Sequence, residues 1–216
     1  MERKFKFAPG EFYHIYSRGV EKRDIFMNTP DYTRFINLLF FANSEKPVDY
    51  GEISDLPWEF YDRGEIQTSI GCYCLMPNHF HLLLWEKNEN GISRFVAKLL
   101  TAYSMYFNKK YQRSGRLFQS TFRATYVDDD EYLKYLFSYI HLNPVKLIES
   151  GWKEKQISDL SAVENYLKKY NYSSYQDFLG IEREEALILD RQNFPEYFQT
   201  SLEFKTCLND WLTFSQ

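Results

Sequence analysis

Leu75-Met76-Pro77-Asn78-His79-Phe80-His81-Leu82-Leu83-Leu84-Trp85 is an apolar run interrupted by a turn pair and two imidazoles. Pro77 and Asn78 are turn formers, so residues 65–76 and 79–85 read as two strands of a hairpin at the centre of a sheet. Side chains two apart on a strand share a face, which puts His79 and His81 together and Phe80 on the other side. Two imidazoles on one strand face make a two-point clamp for a metal ion. A His-x-His pair alone is a weak signal, and a bound ion needs more donors than two imidazoles supply.

The missing donor is offered by Tyr132-Leu133-Lys134-Tyr135-Leu136-Phe137-Ser138-Tyr139-Ile140-His141-Leu142-Asn143-Pro144. At helical spacing Leu133, Leu136, Phe137 and Ile140 form an apolar stripe for the core, with Tyr132, Tyr135, Tyr139 and Asn143 on the flank beside it. Tyr139 and Asn143 are four apart and hence neighbours, so a hydroxyl nucleophile and an amide ligand sit together. His141 falls on the opposite flank, which argues against a third histidine ligand. Pro144 stops the helix near Leu142, leaving the Asn143 carboxamide at its end.

The chain has 216 residues, enough for one domain with an appendage, and 19% of them are aromatic. Most of those rings belong to the core, and the remainder are candidate stacking surfaces for bases. Nothing reads as a membrane span or leader, and three cysteines, two of them two apart on a strand, do not suggest disulfides. A reduced, cytoplasmic protein without membrane contact is expected.

A net charge of −4 speaks against a general nucleic-acid binder, but the distribution is uneven. Residues 91–126 hold seven basic side chains (Arg94, Lys98, Lys109, Lys110, Arg113, Arg116, Arg123) and no acid, whereas residues 1–90 hold 10 basic against 14 acidic and residues 147–216 hold 7 against 12. One positive segment in an acidic chain focuses a polyanion onto one face. A solvated helix face, the bland explanation, normally mixes signs.

In order, residues 12–17 read as a strand on which His14 faces the metal site or, the preferred reading, is a core or edge histidine. Thr29-Pro30-Asp31 opens a helix that runs to about Asn43. Residues 44–64, acid-rich and broken by prolines and glycines, form an insertion with a short ordered piece near Trp58. Gly91 to Tyr111 is a long amphipathic helix, followed by a basic turn at residues 109–116. Residues 121–127 alternate as a strand with Arg123 and Thr125 on its wet side. Asp128 and Glu131 resemble a capping box at the start of the tyrosine helix. The order strand, helix, strand, strand, helix, strand, helix predicts an α+β fold: an antiparallel ferredoxin-like palm with helices on one face. The expected organisation is a catalytic domain over residues 1–146 and an acidic helical extension over 147–216.

His79-Phe80-His81, then Tyr139-Ile140-His141-Leu142-Asn143-Pro144-Val145-Lys146, resemble the single-tyrosine HUH-type transposases, and within them the REP-associated tyrosine transposases. The likeness covers roughly residues 10–150 and includes His14-Ile15-Tyr16-Ser17-Arg18-Gly19 and Gly115-Arg116-Leu117-Phe118-Gln119-Ser120. It implies the same palm. It also implies a metal-dependent single-stranded DNA endonuclease and strand transferase that cuts and rejoins hairpin-forming repeats through a 5′-phosphotyrosine. Tyr139 is then the nucleophile, being the tyrosine four before the amide-proline pair. His79, His81 and Asn143 are the metal ligands, and the ion is Mg²⁺ or Mn²⁺. Insertion-sequence relatives often carry Gln where this chain has Asn143, and whether the protein pairs as a homodimer is left open by the sequence. The alternatives are a palm that binds hairpin DNA or RNA without cutting, and a metal hydrolase of a small phosphoester in which Tyr139 only packs.

Overall fold

The computed structural model describes residues 6–47, 57–152 and 157–213. Four strands, β1 (Phe12–Arg18), β2 (Ser69–Met76), β3 (His79–Trp85) and β4 (Arg123–Val127), form one antiparallel sheet in the order β2-β3-β1-β4. β2 and β3 are joined by the two-residue turn Pro77-Asn78, as expected. The α+β class and the order of elements through the tyrosine helix are as the sequence predicted.

The placement of the helices differs in one respect. α1 (Thr29–Phe41) and α2 (Gly91–Lys110) cover one face, packing on Tyr13, Ile15, Phe80, Leu82 and Leu84. α3 (Asp130–Leu142) lies on the other face, against Cys72, Cys74 and Leu83. The physical reason is parity. Both residue sets of the central strands are apolar and both need cover, as in a sheet buried on two sides. Phe80, buried between Phe35 at 5.0 Å and Phe118 at 6.1 Å, anchors the first layer. Phe80→Ala is expected to cost about 3–5 kcal/mol in urea unfolding.

The C-terminal part supplies the second layer. Helices α4 (Leu160–Lys169), α5 (Tyr175–Phe178) and α6 (Ser201–Thr213) bury Val163, Leu167, Phe178, Phe204 and Leu208 in the cluster that holds the α3 stripe. The segment between them also satisfies the free edge of β2. The Leu75 amide donates to the Tyr172 carbonyl (2.9 Å), the Ser174 amide to the Tyr73 carbonyl (3.0 Å), and the Asp190 amide to the Ile70 carbonyl (3.0 Å). An uncovered edge strand would otherwise invite pairing with another chain. Gly71, at the bulge in β2, approaches the Phe194 ring so closely that a Cβ would lie 2.6 Å from it.

Of the expected insertion, residues 48–56 lie outside the described residues. The piece that follows is a short turn, Trp58–Phe60, with the Trp58 ring stacked on Phe40 at 4.7 Å. α3 is capped by Asp129, whose carboxylate accepts from the Glu131 amide at 2.9 Å, and not by Asp128. Among the described residues no helix is long and apolar enough to cross a membrane, and Cys72, Cys74 and Cys207 are free thiols.

His141 is fully buried between α3 and the extension. Its Nδ1 donates to the Phe137 carbonyl (2.8 Å) and its Nε2 meets the Ser174 hydroxyl (2.8 Å), so it is a structural histidine and not a ligand. Burial pulls its pKa down to about 3. Above the ordinary value of about 6.5 both folded and unfolded forms are neutral, so its contribution is fully present. Between about 6.5 and about 3 only the unfolded chain takes up the proton, and stability falls by about 1.4 kcal/mol per pH unit. Thermal melts of wild type and His141→Asn between those limits are expected to show the steeper acid loss in wild type.

Candidate functional site

His79 and His81 stand on the α3 face of β3, with their rings 5.0 Å apart and perpendicular at 86°. Antiparallel pairing sets Tyr16 opposite His81 and Arg18 opposite His79, while β4 brings Arg123 opposite Tyr16. Above this floor the Tyr139 ring stands edge-on to His81 at 5.6 Å and to His14 at 5.9 Å. The helix therefore turns its tyrosine flank toward the imidazole pair. A cleft of about 470 Å³ opens here, lined by His79, His81 and Tyr139 together with the cations Arg18, Lys22, Arg123 and Lys146.

The environment keeps His79 and His14 neutral. His79 is pulled down to about 4, mainly by burial and further by Arg18 and Lys146. Its tautomer follows from Asn78, whose Nδ2 donates to the Lys22 carbonyl (3.1 Å), so that Oδ1 faces His79 Nδ1 at 2.6 Å. An amide oxygen only accepts, hence Nδ1 carries the proton and Nε2 keeps its lone pair, the form that binds a metal. His14, pulled down to about 4 by burial, lies with Nε2 2.9 Å from His81 Nδ1. A single proton fits between two such nitrogens. Placed on His81 Nδ1, it leaves that ring's Nε2 lone pair for the cleft, with His14 as the orienting acceptor behind it.

Asn143 is buried at the helix end. Its Nδ2 donates to the Tyr139 carbonyl (2.8 Å), and its Oδ1 accepts from Lys146 Nζ (3.1 Å). The ammonium lies 5.8 Å from the centre of the Tyr139 ring. Burial raises the Tyr139 phenol above its ordinary value, and a hydrogen bond from the Asn143 amide opposes the rise. The phenol is a protonated, weak nucleophile until something nearby draws charge from the bond it would make.

Two imidazoles, one with its tautomer fixed, and an amide beside the phenol suit an exchangeable divalent cation with open positions better than a closed structural site. Among the described residues no group of three or more His, Cys, Asp and Glu is arranged to hold an ion. Asn143 does not line the cleft, and to serve as a third donor its oxygen would have to exchange Lys146 for the ion.

The seven basic residues read from the segment 91–126 do not gather in one place. Arg123 enters the cleft. Lys98 Nζ is tied to the Ser44 carbonyl (2.9 Å) and to the Lys46 carbonyl, Lys110 pairs with the buried Asp31 (2.6 Å), and Arg94 donates to the Glu89 carbonyl (2.9 Å). Arg113 bonds the Asn108 side chain (2.9 Å) and lines a hollow with Arg23, while Lys109 and Arg116 are exposed. Sequence reasoning did not assign Arg18, Lys22 and Lys146 to the site, and it preferred a core or edge position for His14 over one facing the metal site. His14, Tyr16 and Arg18 alternate along β1, so they had to share a face. Which face was not legible from alternation.

With the geometry described, two comparisons bear on it. The family model of IS200-like transposases matches residues 51–143, the segment that holds all four expected site residues. The solved structure of a REP-associated tyrosine transposase bound to a REP hairpin is similar over 86% of this chain and 89% of that one, with a TM-score of 0.53 and 14% identity. At that identity the likeness speaks for a common fold, and the resemblance drawn from the motifs holds. No curated protein matches the sequence.

Proposed function

We propose that the protein is a divalent-metal-dependent enzyme that cuts and rejoins single-stranded DNA flanking a hairpin, with Tyr139 as nucleophile. The single observation that carries this reading is the Tyr139 ring held 5.6 Å from His81, above the His79–His81 pair and inside a cationic cleft. Further support comes from the match of residues 51–143 to IS200-like transposases and from the relative that was solved with a REP hairpin.

The chain's own residues divide the work. Arg18, Lys22, Arg123 and Lys146 draw the backbone into the cleft and hold a phosphate near Tyr139. The Tyr139 oxygen attacks phosphorus, forming the phosphotyrosine bond as the bond to the 3′ oxygen breaks. The phenolic proton is lost to solvent, and the departing 3′ oxygen takes one up. Covalent capture keeps the phosphodiester energy, so the reverse attack by a 3′ hydroxyl rejoins ends without a nucleotide cofactor. His79 and His81, with Asn143 as third donor once its oxygen leaves Lys146, would hold a Mg²⁺ or Mn²⁺ ion, which would supply Lewis-acid neutralisation of the phosphate charge.

Incubating the protein with Mn²⁺ and a hairpin oligonucleotide with unpaired flanks, then running a denaturing gel, tests the reading. The expected result is a protein–DNA adduct that survives denaturation. Binding without adduct would instead identify a hairpin-binding module that does not cut. Binding is expected to weaken with salt, with a log-log slope of about −3 if four phosphates are contacted on a single strand. A flat response in a fluorescence titration at several salt concentrations would remove the cationic cleft from the argument.

A further inference from the structure

Beside the cationic cleft lies a second hollow, of about 310 Å³, between α3 and the sheet. Tyr132 and Tyr135 wall it from the helix, and Tyr16, His14 and Thr125 wall it from β1 and β4. Tyr16, His81 and Tyr139 border both spaces, so the two meet at the candidate nucleophile. Their chemistry is opposite. Four cations line the first, and no charged side chain lines the second.

A nucleotide has the same two halves, an anionic phosphate and a flat aromatic base joined by a sugar. On the reading of the site as a single-strand-cutting centre, we infer that the tyrosine-walled hollow is a stacking site for one unpaired nucleobase adjacent to the phosphate that Tyr139 attacks. The half-buried rings of Tyr16, Tyr132 and Tyr135 offer the faces, and every base has a π-face to offer in return. The Thr125 and tyrosine hydroxyls at its edges add donors and acceptors for the base edge. A base in a duplex cannot enter without leaving its partner, so the hollow selects an unpaired nucleotide at the break. The platform is braced from behind: Trp211 of α6 lies against Tyr135 at 4.8 Å, and Tyr132 stacks with Tyr135 at 6.0 Å. This gives the C-terminal extension a part in recognition as well as in covering the sheet.

The test measures binding of the full chain, in EDTA so that no cutting intervenes, to a hairpin oligonucleotide with short unpaired flanks. Each unpaired base in turn is replaced by an abasic sugar. One position is expected to lose about tenfold in affinity, and the others far less. In Tyr135→Leu, and independently in Tyr132→Leu, the penalty at that position should shrink to less than about twofold. A fluorescent purine analogue placed there should be quenched by wild type and not by the variants. Equal tolerance of abasic sugars at every unpaired position in wild type overturns the inference without need of any variant. So does a tenfold penalty that persists in both folded variants. Failure of wild type to bind the unpaired strand at all is a different result, and it sinks the single-strand reading together with the subsite.

Discussion

Tyr139→Phe is expected to bind hairpin DNA with wild-type affinity and to form no covalent adduct. The substitution keeps the ring that packs against His81 at 5.6 Å, His14 at 5.9 Å and Tyr135 at 5.7 Å, so the helix and the cleft keep their shape. Only the oxygen that would bond to phosphorus is removed. Loss of a covalent nucleophile typically costs about 10⁴-fold or more, because no neighbouring group inherits its position. The same denaturing gel reads the outcome. An adduct retained in this variant would shift the role to Tyr135 or Tyr132, which lie on the same flank and border the same space.

His79→Ala is expected to lower the rate of adduct formation by about 10³-fold at low Mn²⁺, the equivalent of several kcal/mol of charge neutralisation at the phosphate. Part of the rate should return as Mn²⁺ is raised, since the variant loses affinity for the ion and not the nucleophile. His79 is a good position for this test because it is half-buried at the end of β3, where truncation leaves no cavity in the core. DNA binding in EDTA should change little. Unaltered adduct formation at every Mn²⁺ concentration would mean that the imidazole pair does not hold the ion.

These two expectations rest on residues that were legible as a chain. The spacing His79-Phe80-His81 puts both imidazoles on one strand face whatever the tertiary structure. The four-residue step from Tyr139 to Asn143 makes them neighbours on any helix. Electrostatics was less legible. Charge counted along the chain singled out residues 91–126, yet Lys110 neutralises the buried Asp31 and Lys98 holds the loop carbonyls of Ser44 and Lys46. The cleft draws its cations from four separate places instead, at Arg18, Lys22, Arg123 and Lys146. A run of like charge says how many cations are present, and only the fold says which are already paired.

His14 illustrates the same limit. Its alternation with Tyr16 and Arg18 was visible, but a lone histidine on a strand is equally consistent with core packing, and only the pairing of β1 with β3 brings its Nε2 to 2.9 Å from His81. The C-terminal part was readable as helical and acidic and nothing more. Its use as cover for the β2 edge and as a brace for Tyr135 depends on long-range contacts that leave no local pattern.

By itself the sequence determined the order of strands and helices, the pairing of the two imidazoles and the neighbourhood of phenol and amide, because these follow from periods of two and of 3.6 residues within single elements. Only the tertiary structure decided that α3 covers the face opposite α1 and α2, that His14 stands behind His81, and that cations and tyrosines part into two hollows around Tyr139. Those features join residues far apart in the chain, and their geometry is set by which apolar faces must be buried against each other.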